Sequence, residues 1–111
     1  MHYRVFYCFE RCGESVSSAS AVEMSARNIC EQLLPRLRSG DDYLGIIDPQ
    51  EHILQILCEP GGDLFWVEVP LDAAKASYGK HMNQEELRDF IAQLPASFDH
   101  QAIPGLTYRP W

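Results

Sequence analysis

Residues 43–71 read YLGIID-PQEH-ILQILCE-PGGD-LFWVEVPL, and the punctuation of this stretch decides the fold. Its first run, residues 43–47, is apolar and includes β-branched Ile46 and Ile47. Asp48-Pro49-Gln50 breaks the run, because proline cannot donate to a ladder and aspartate favours turns. Residues 53–58 form the next run, closed by Pro60-Gly61-Gly62-Asp63. Glycine supplies positive φ without a Cβ clash, so this cluster between two β-rich runs is a hairpin signal. The last run, residues 64–69, holds the strand formers Phe65, Trp66, Val67 and Val69 and stops at Pro70. The expectation is an antiparallel meander.

Alternation assigns its faces. Leu54, Ile56 and Cys58 share one side of their strand, and Phe65, Val67 and Val69 share one side of theirs. The other side is mixed and carries Gln55, Glu59, Trp66 and Glu68. A dry face opposite a mixed one predicts a sheet covered by helices on one side only. Trp66 admits two readings there. One is burial beside a sheet edge or under the C-terminal tail. The other is a binding anchor, since aromatics concentrate where interfaces are driest.

Working outward, residues 2–9 alternate Tyr3, Val5, Tyr7 and Phe9 against Arg4, Phe6 and Cys8, which suits an inner strand. Residues 10–20, with Gly13 and Ser15, Ser17, Ser18 and Ser20, read as a connecting loop; its lone glycine falls far short of a phosphate cradle. Ser20-x-x-Glu23 fits a capping box that opens a helix with the apolar face Val22, Ala26, Ile29, Cys30, Leu33, Leu34 and Leu37. Pro35 predicts a kink or an end near Leu34. Residues 72–82 read mainly as a loop presenting Tyr78, Lys80 and His81. Asn83-x-x-Glu86 caps a second helix whose stripe is Leu87, Phe90, Ile91 and Leu94, stopped by Pro95. In the tail, Ile103, Leu106, Tyr108 and Trp111 are too apolar to be left in water, and residues 106–108 are a candidate edge strand limited by Pro110. The expected architecture is one α+β domain over residues 1–111, a two-layer sandwich. It has an antiparallel sheet of about four strands with two helices on one face, in the order β-α-β-β-β-α.

Composition narrows function. A chain of 111 residues that is 46% hydrophobic suits one core and argues against disorder. The net charge of −7, from 16 acidic and 9 scattered basic residues, disfavours phosphate-backbone binding, which usually needs a basic stripe, so no nucleic-acid partner is expected. It suits a basic protein partner and equally serves solubility. No run approaches the ~18 apolar residues of a membrane span, so no membrane partner is expected. The apolar residues 5–9 are too short a run for a signal-peptide core and end at Glu10 and Arg11, so a cytoplasmic location is expected.

The chemistry-bearing residues do not assemble into a motif. Cys30 and Cys58 fall on apolar faces and read as buried free thiols. Cys8 and Cys12 lack zinc-knuckle spacing and a second pair. There is no Gly-x-Ser-x-Gly elbow, and Cys12 with His52 or His81 would need a proximity the sequence does not supply. His52, His81 and His100 are not at helical ligand spacing. Asp41-Asp42 and Glu85-Glu86 are accounted for by local structure, and the polarity of Asp48 to His52 by exposure at a turn. No catalytic residue, metal site or cofactor is expected.

The stretches LGIIDPQEHILQILCEPGGDLFWVEVP and SYGKHMNQEELRDFIAQLP resemble the central part of small acidic immunity-type proteins of bacterial polymorphic toxin systems. The likeness covers about half the chain and is one of strand and turn types; the first helix and the tail lie outside it. The resemblance implies neutralisation of a toxin by occlusion, with acidic residues facing a basic active-site cleft. The expected function is therefore a non-catalytic, protein-binding inhibitor, with Gln55, Glu59, Trp66, Glu68 and Tyr78 as partner-binding residues. One alternative is a small-molecule binder or enzyme with a pocket between sheet and tail, lined by Tyr43, Trp66, Tyr78 and His81. The other is a structural module whose sheet edge pairs two copies. Monomer and homodimer both fit.

Overall fold

A computed structural model describes residues 2–10, 13–38, 40–60, 63–99, 101 and 103–110. Cys12, His100, Trp111 and the Gly61-Gly62 turn, all weighed above, lie outside the described residues. The strands are β1 (His2–Phe9), β2 (Glu14–Val16), β3 (Val22–Ser25), β4 (Tyr43–Ile47), β5 (Ile53–Cys58), β6 (Leu64–Leu71), β7 (Ala76–Asn83) and β8 (Thr107–Pro110). They form one antiparallel sheet in the order β2-β1-β4-β5-β6-β7-β8, with β3 also paired to β1. The chain is α+β, as expected, but the sheet has eight strands, not about four.

The meander is β4-β5-β6, in the register the alternation predicts: Leu44 faces Ile56, which faces Val67. The additional strands correct the reading of the flanks. β7, taken for a loop, pairs with β6 from Leu64↔Asn83 to Leu71↔Ala76. Its Ala, Ser, Gly, Lys and Asn are poor strand formers, and the long β6 template overrides them. Pro70 does not end β6. Beyond Glu68 that strand is paired with β7 alone, which leaves it an unpaired side where a missing donor is tolerated. β3 replaces the start of the first helix. Val22, Glu23 and Met24 lie opposite Val5, Arg4 and Tyr3, and the Val22-to-Ala26 spacing only mimics a helical face. β2 lies within the serine-rich loop. β8 runs to Pro110, which an edge strand tolerates.

The first helix therefore starts later, capped by the Ser25 hydroxyl, which accepts from the Asn28 N–H at 3.2 Å. It opens as α1 (Ala26–Asn28), widens to a π turn over Ile29–Leu33 and tightens to a 3₁₀ turn at Leu34–Arg36. In the π turn the Leu34 N–H reaches back to the Ile29 carbonyl. Pro35 explains the irregularity: its ring clashes with the carbonyl four residues earlier and it has no N–H to close a regular turn. The second helix, α2 (Gln84–Ala92), carries the capping box read from sequence. Asn83 accepts from the Glu86 N–H at 2.8 Å, and Glu86 accepts from the Asn83 N–H at 2.9 Å. Asn83→Ala is expected to cost about 1 kcal/mol, read from the urea midpoint.

Both helices lie on one side of the sheet. Ile29, Leu33, Leu87 and Ile91 are buried with Val5, Ile46, Leu54, Ile56, Phe65 and Val67 in one apolar cluster. Two buried carboxylates tie loops to this core. Asp42 accepts from the Glu10 and Arg38 N–H groups, each at 2.9 Å. Asp48, expected to be exposed, is 1% exposed. It accepts from the N–H groups of Gln50 at 2.8 Å, His52 at 2.9 Å and, fifty residues away, Phe98 at 2.8 Å. Phe98 is itself buried and stacks on Tyr3, whose hydroxyl donates to the Pro95 carbonyl at 3.0 Å. The segment after α2 is thus pinned over the end of the sheet by one carboxylate and one phenol.

Candidate partner-binding face

The helix-free side of the sheet is organised in cross-strand rows. One row runs Cys8, Tyr43, Leu57, Trp66 and His81; the next runs Phe6, Gly45, Gln55, Glu68, Gly79 and Thr107. The two glycines in the second row are filled by aromatics from elsewhere. A Cβ on Gly45 would lie 2.0 Å from the Phe6 ring, and one on Gly79 would lie 2.4 Å from the Trp66 indole. Each ring therefore lies flat along the sheet over a position that needs no side chain. Tyr43 meets Phe6 edge-on, at 6.3 Å between centroids.

Trp66 is only 8% exposed. Arg109 of β8 stacks on its ring at 4.4 Å, and His81 meets it edge-on at 5.0 Å. Its indole N–H donates to the Glu68 carboxylate at 2.8 Å. The side chain lies under the C-terminal strand, the first of the two readings above, and organises the face from beneath. What the face presents outright is Tyr43, Leu57 and Leu64, 36%, 37% and 46% exposed. Gln55, Glu59 and Glu68 are half-buried on the same side. Glu59 lies beside His81, with Oε1 3.3 Å from the imidazole Nε2. At one corner Arg4 is paired with Glu51.

Four of the five partner-binding candidates, Gln55, Glu59, Trp66 and Glu68, therefore share this side. Tyr78 does not. It faces Val69 and Tyr108 in the other set of rows and packs on the Tyr108 ring at 5.3 Å. For the same reason Tyr43, Trp66, Tyr78 and His81 do not line one pocket: Tyr78 is on the opposite side of the sheet from the other three. Sequence reasoning missed Arg109 and the exposed Leu57 and Leu64. The clue for Arg109 was a cation near an edge-strand candidate, legible only once β8 is registered against β7.

Chemically the face offers carboxylates, an amide and apolar surface, beside the Arg4 and Arg109 guanidinium groups and the His81 imidazole. The three described thiols, Cys8, Cys30 and Cys58, are held toward their protonated form. Burial, and then the Glu10 and Asp42 carboxylates, push the Cys8 thiol up, and Cys30 and Cys58 are free, buried and likewise raised, burial being the largest cause in each. Among the described residues, no three of His, Cys, Asp and Glu gather as metal ligands, and no helix is long and apolar enough to cross a membrane. Compared with known protein families, curated proteins and solved structures, the chain matches none.

Proposed function

We propose that this is a non-catalytic protein-binding module of the inhibitor or immunity type, whose helix-free sheet face occludes a basic partner such as a toxin domain. The observation that carries the reading is the face itself. Tyr43, Leu57 and Leu64 stand exposed on a rigid sheet, flanked by Glu59 and Glu68, in a chain of net charge −7. Exposed aliphatic and aromatic groups on a preorganised surface exclude water at an interface core, and the surrounding carboxylates steer a basic protein to it. The immunity-type resemblance of the meander agrees with this use. Trp66 acts here as a support that holds Glu68 and carries Arg109, and Tyr78 is not part of the interface.

The experiment is a photo-crosslinking one. A benzoyl-phenylalanine at position 57 should capture a basic protein that the same probe at Gln93, beside α2, does not. With the captured protein purified, Glu59→Lys combined with Glu68→Lys should weaken binding by about 30-fold, roughly 2 kcal/mol, and should flatten its salt dependence. Equal capture from both positions, or an affinity indifferent to the charge reversal, rejects this face as the binding surface.

A further inference from the structure

On the helical side of the molecule, a cleft of about 410 Å³ separates the first helix from α2. Its volume falls in the range of about 300–1,000 Å³ typical of small-ligand sites. The floor is apolar: Cys30 and Leu34 from the first helix, Phe65 from β6 and Leu87 from α2. Arg38 and Arg88 stand at its rim, with Gln84 and Glu85 at the start of α2.

Charge sets this cleft apart. Two arginines and one glutamate line the cleft, in a chain with 9 basic and 16 acidic residues. The Arg38 Nε–H donates to the Pro35 carbonyl at 2.6 Å, which fixes that guanidinium at the rim. Among the described residues Arg88 makes no ion pair within 4 Å. The Cys30 thiol donates to the Arg88 carbonyl at 3.7 Å, so the base of this arginine sits directly on the cleft floor.

We propose that the cleft binds a small amphipathic carboxylate, its acyl chain on Cys30, Leu34, Phe65 and Leu87 and its carboxylate at the Arg38–Arg88 rim. An apolar slot with a cationic mouth matches such an anion and rejects an amphipathic cation of the same length. The site is on the opposite side of the sheet from the partner face and does not depend on it.

The test is an amide NMR titration of the full chain with decanoate below its micelle concentration, beside decanol and decyltrimethylammonium. Decanoate should give saturable shifts at Leu34, Phe65, Leu87 and Arg88. Decanol should bind at least about tenfold more weakly, and the cation not at all. Arg38→Gln with Arg88→Gln should bring decanoate down to the level of decanol while the remaining amides keep their positions. The probe series on the unaltered chain carries the same information should that variant fail to fold. Four outcomes overturn the proposal. One is no saturable shift up to about 1 mM decanoate. Another is equal binding of the three probes, or shifts mapping to Leu57 and Gln55 instead. The last is cleft amides that move with protein concentration alone, which would make a second copy of the chain the occupant.

Discussion

Asp48→Ala is expected to lower the free energy of unfolding by about 4 kcal/mol. The substitution orphans three backbone donors at once. The Phe98 N–H is buried and has no route to water, whereas those of Gln50 and His52 sit at a turn and recover part of the loss by hydration. The effect should be uneven. Hydrogen exchange after the substitution should rise first in residues 95–99, because the carboxylate holds that segment to the sheet from fifty positions away. A variant whose midpoint in urea moves by less than about 1 kcal/mol would show that the carboxylate is not a fastening.

The same group sets an acid limit. Burial pushes the Asp48 carboxyl up, but the N–H groups of Phe98, His52 and Gln50 and the nearby His52 ring outweigh it and hold the group below its ordinary value of 3.8. A carboxyl with a depressed folded pKa stabilises the fold fully above its unfolded pKa. That contribution is lost as pH falls through the folded value. Stability of the unaltered chain should thus be flat in this contribution above about pH 5 and decline below the ordinary carboxyl range. Asp48→Asn should start lower and show a shallower acid slope. Parallel slopes for the two proteins would remove Asp48 from the account.

Gly79→Ala should cost about 3 kcal/mol and lower the melting temperature by roughly 12 °C. The new methyl would meet the Trp66 ring at 2.4 Å and the Val67 carbonyl oxygen at 2.8 Å. The ring has room only outward, and the carbonyl belongs to the paired strand and cannot retreat. Displacing the indole also breaks its bond to Glu68 and unseats Arg109. In a background with Trp111→Phe, Trp66 is the sole tryptophan, and its emission should shift to the red. Gly45→Ala is the comparison. Its nearest atoms are all at the far end of the Phe6 side chain, with no backbone atom among them, so about half the loss is expected. Equal effects at the two positions would mean that the carbonyl contact is immaterial.

The parts of the fold that were legible are those where local preference and burial agree. β-branched and aromatic residues alternate through β4, β5 and β6, and proline or glycine clusters mark their ends. The α2 capping box is equally local. β7 was not legible because Gly79, Lys80 and Asn83 are strand residues only by virtue of the partner beside them. β3 was hidden because Val22 and Ala26 have a spacing that serves either period. The two sides of the sheet were legible wherever they depend on alternation within the meander. The side of Tyr78, read as a loop residue, follows from a register between strands that the sequence does not print. Asp48 was invisible for a related reason: two of its donors are at turn distance, but the decisive one comes from the far end of the chain.

The borders of the sheet have a consequence of their own. One is broken between two short segments, Glu14–Val16 and Val22–Ser25, and the other is a four-residue strip that finishes in proline. Neither gives a neighbouring molecule a long uninterrupted line of amides on which to template, so growth into fibrils by lateral recruitment is resisted at both margins. Molecules of this kind can be crowded in a cell without zipping together. In the proposed function association uses the broad flank instead, where side chains rather than backbone decide who is admitted.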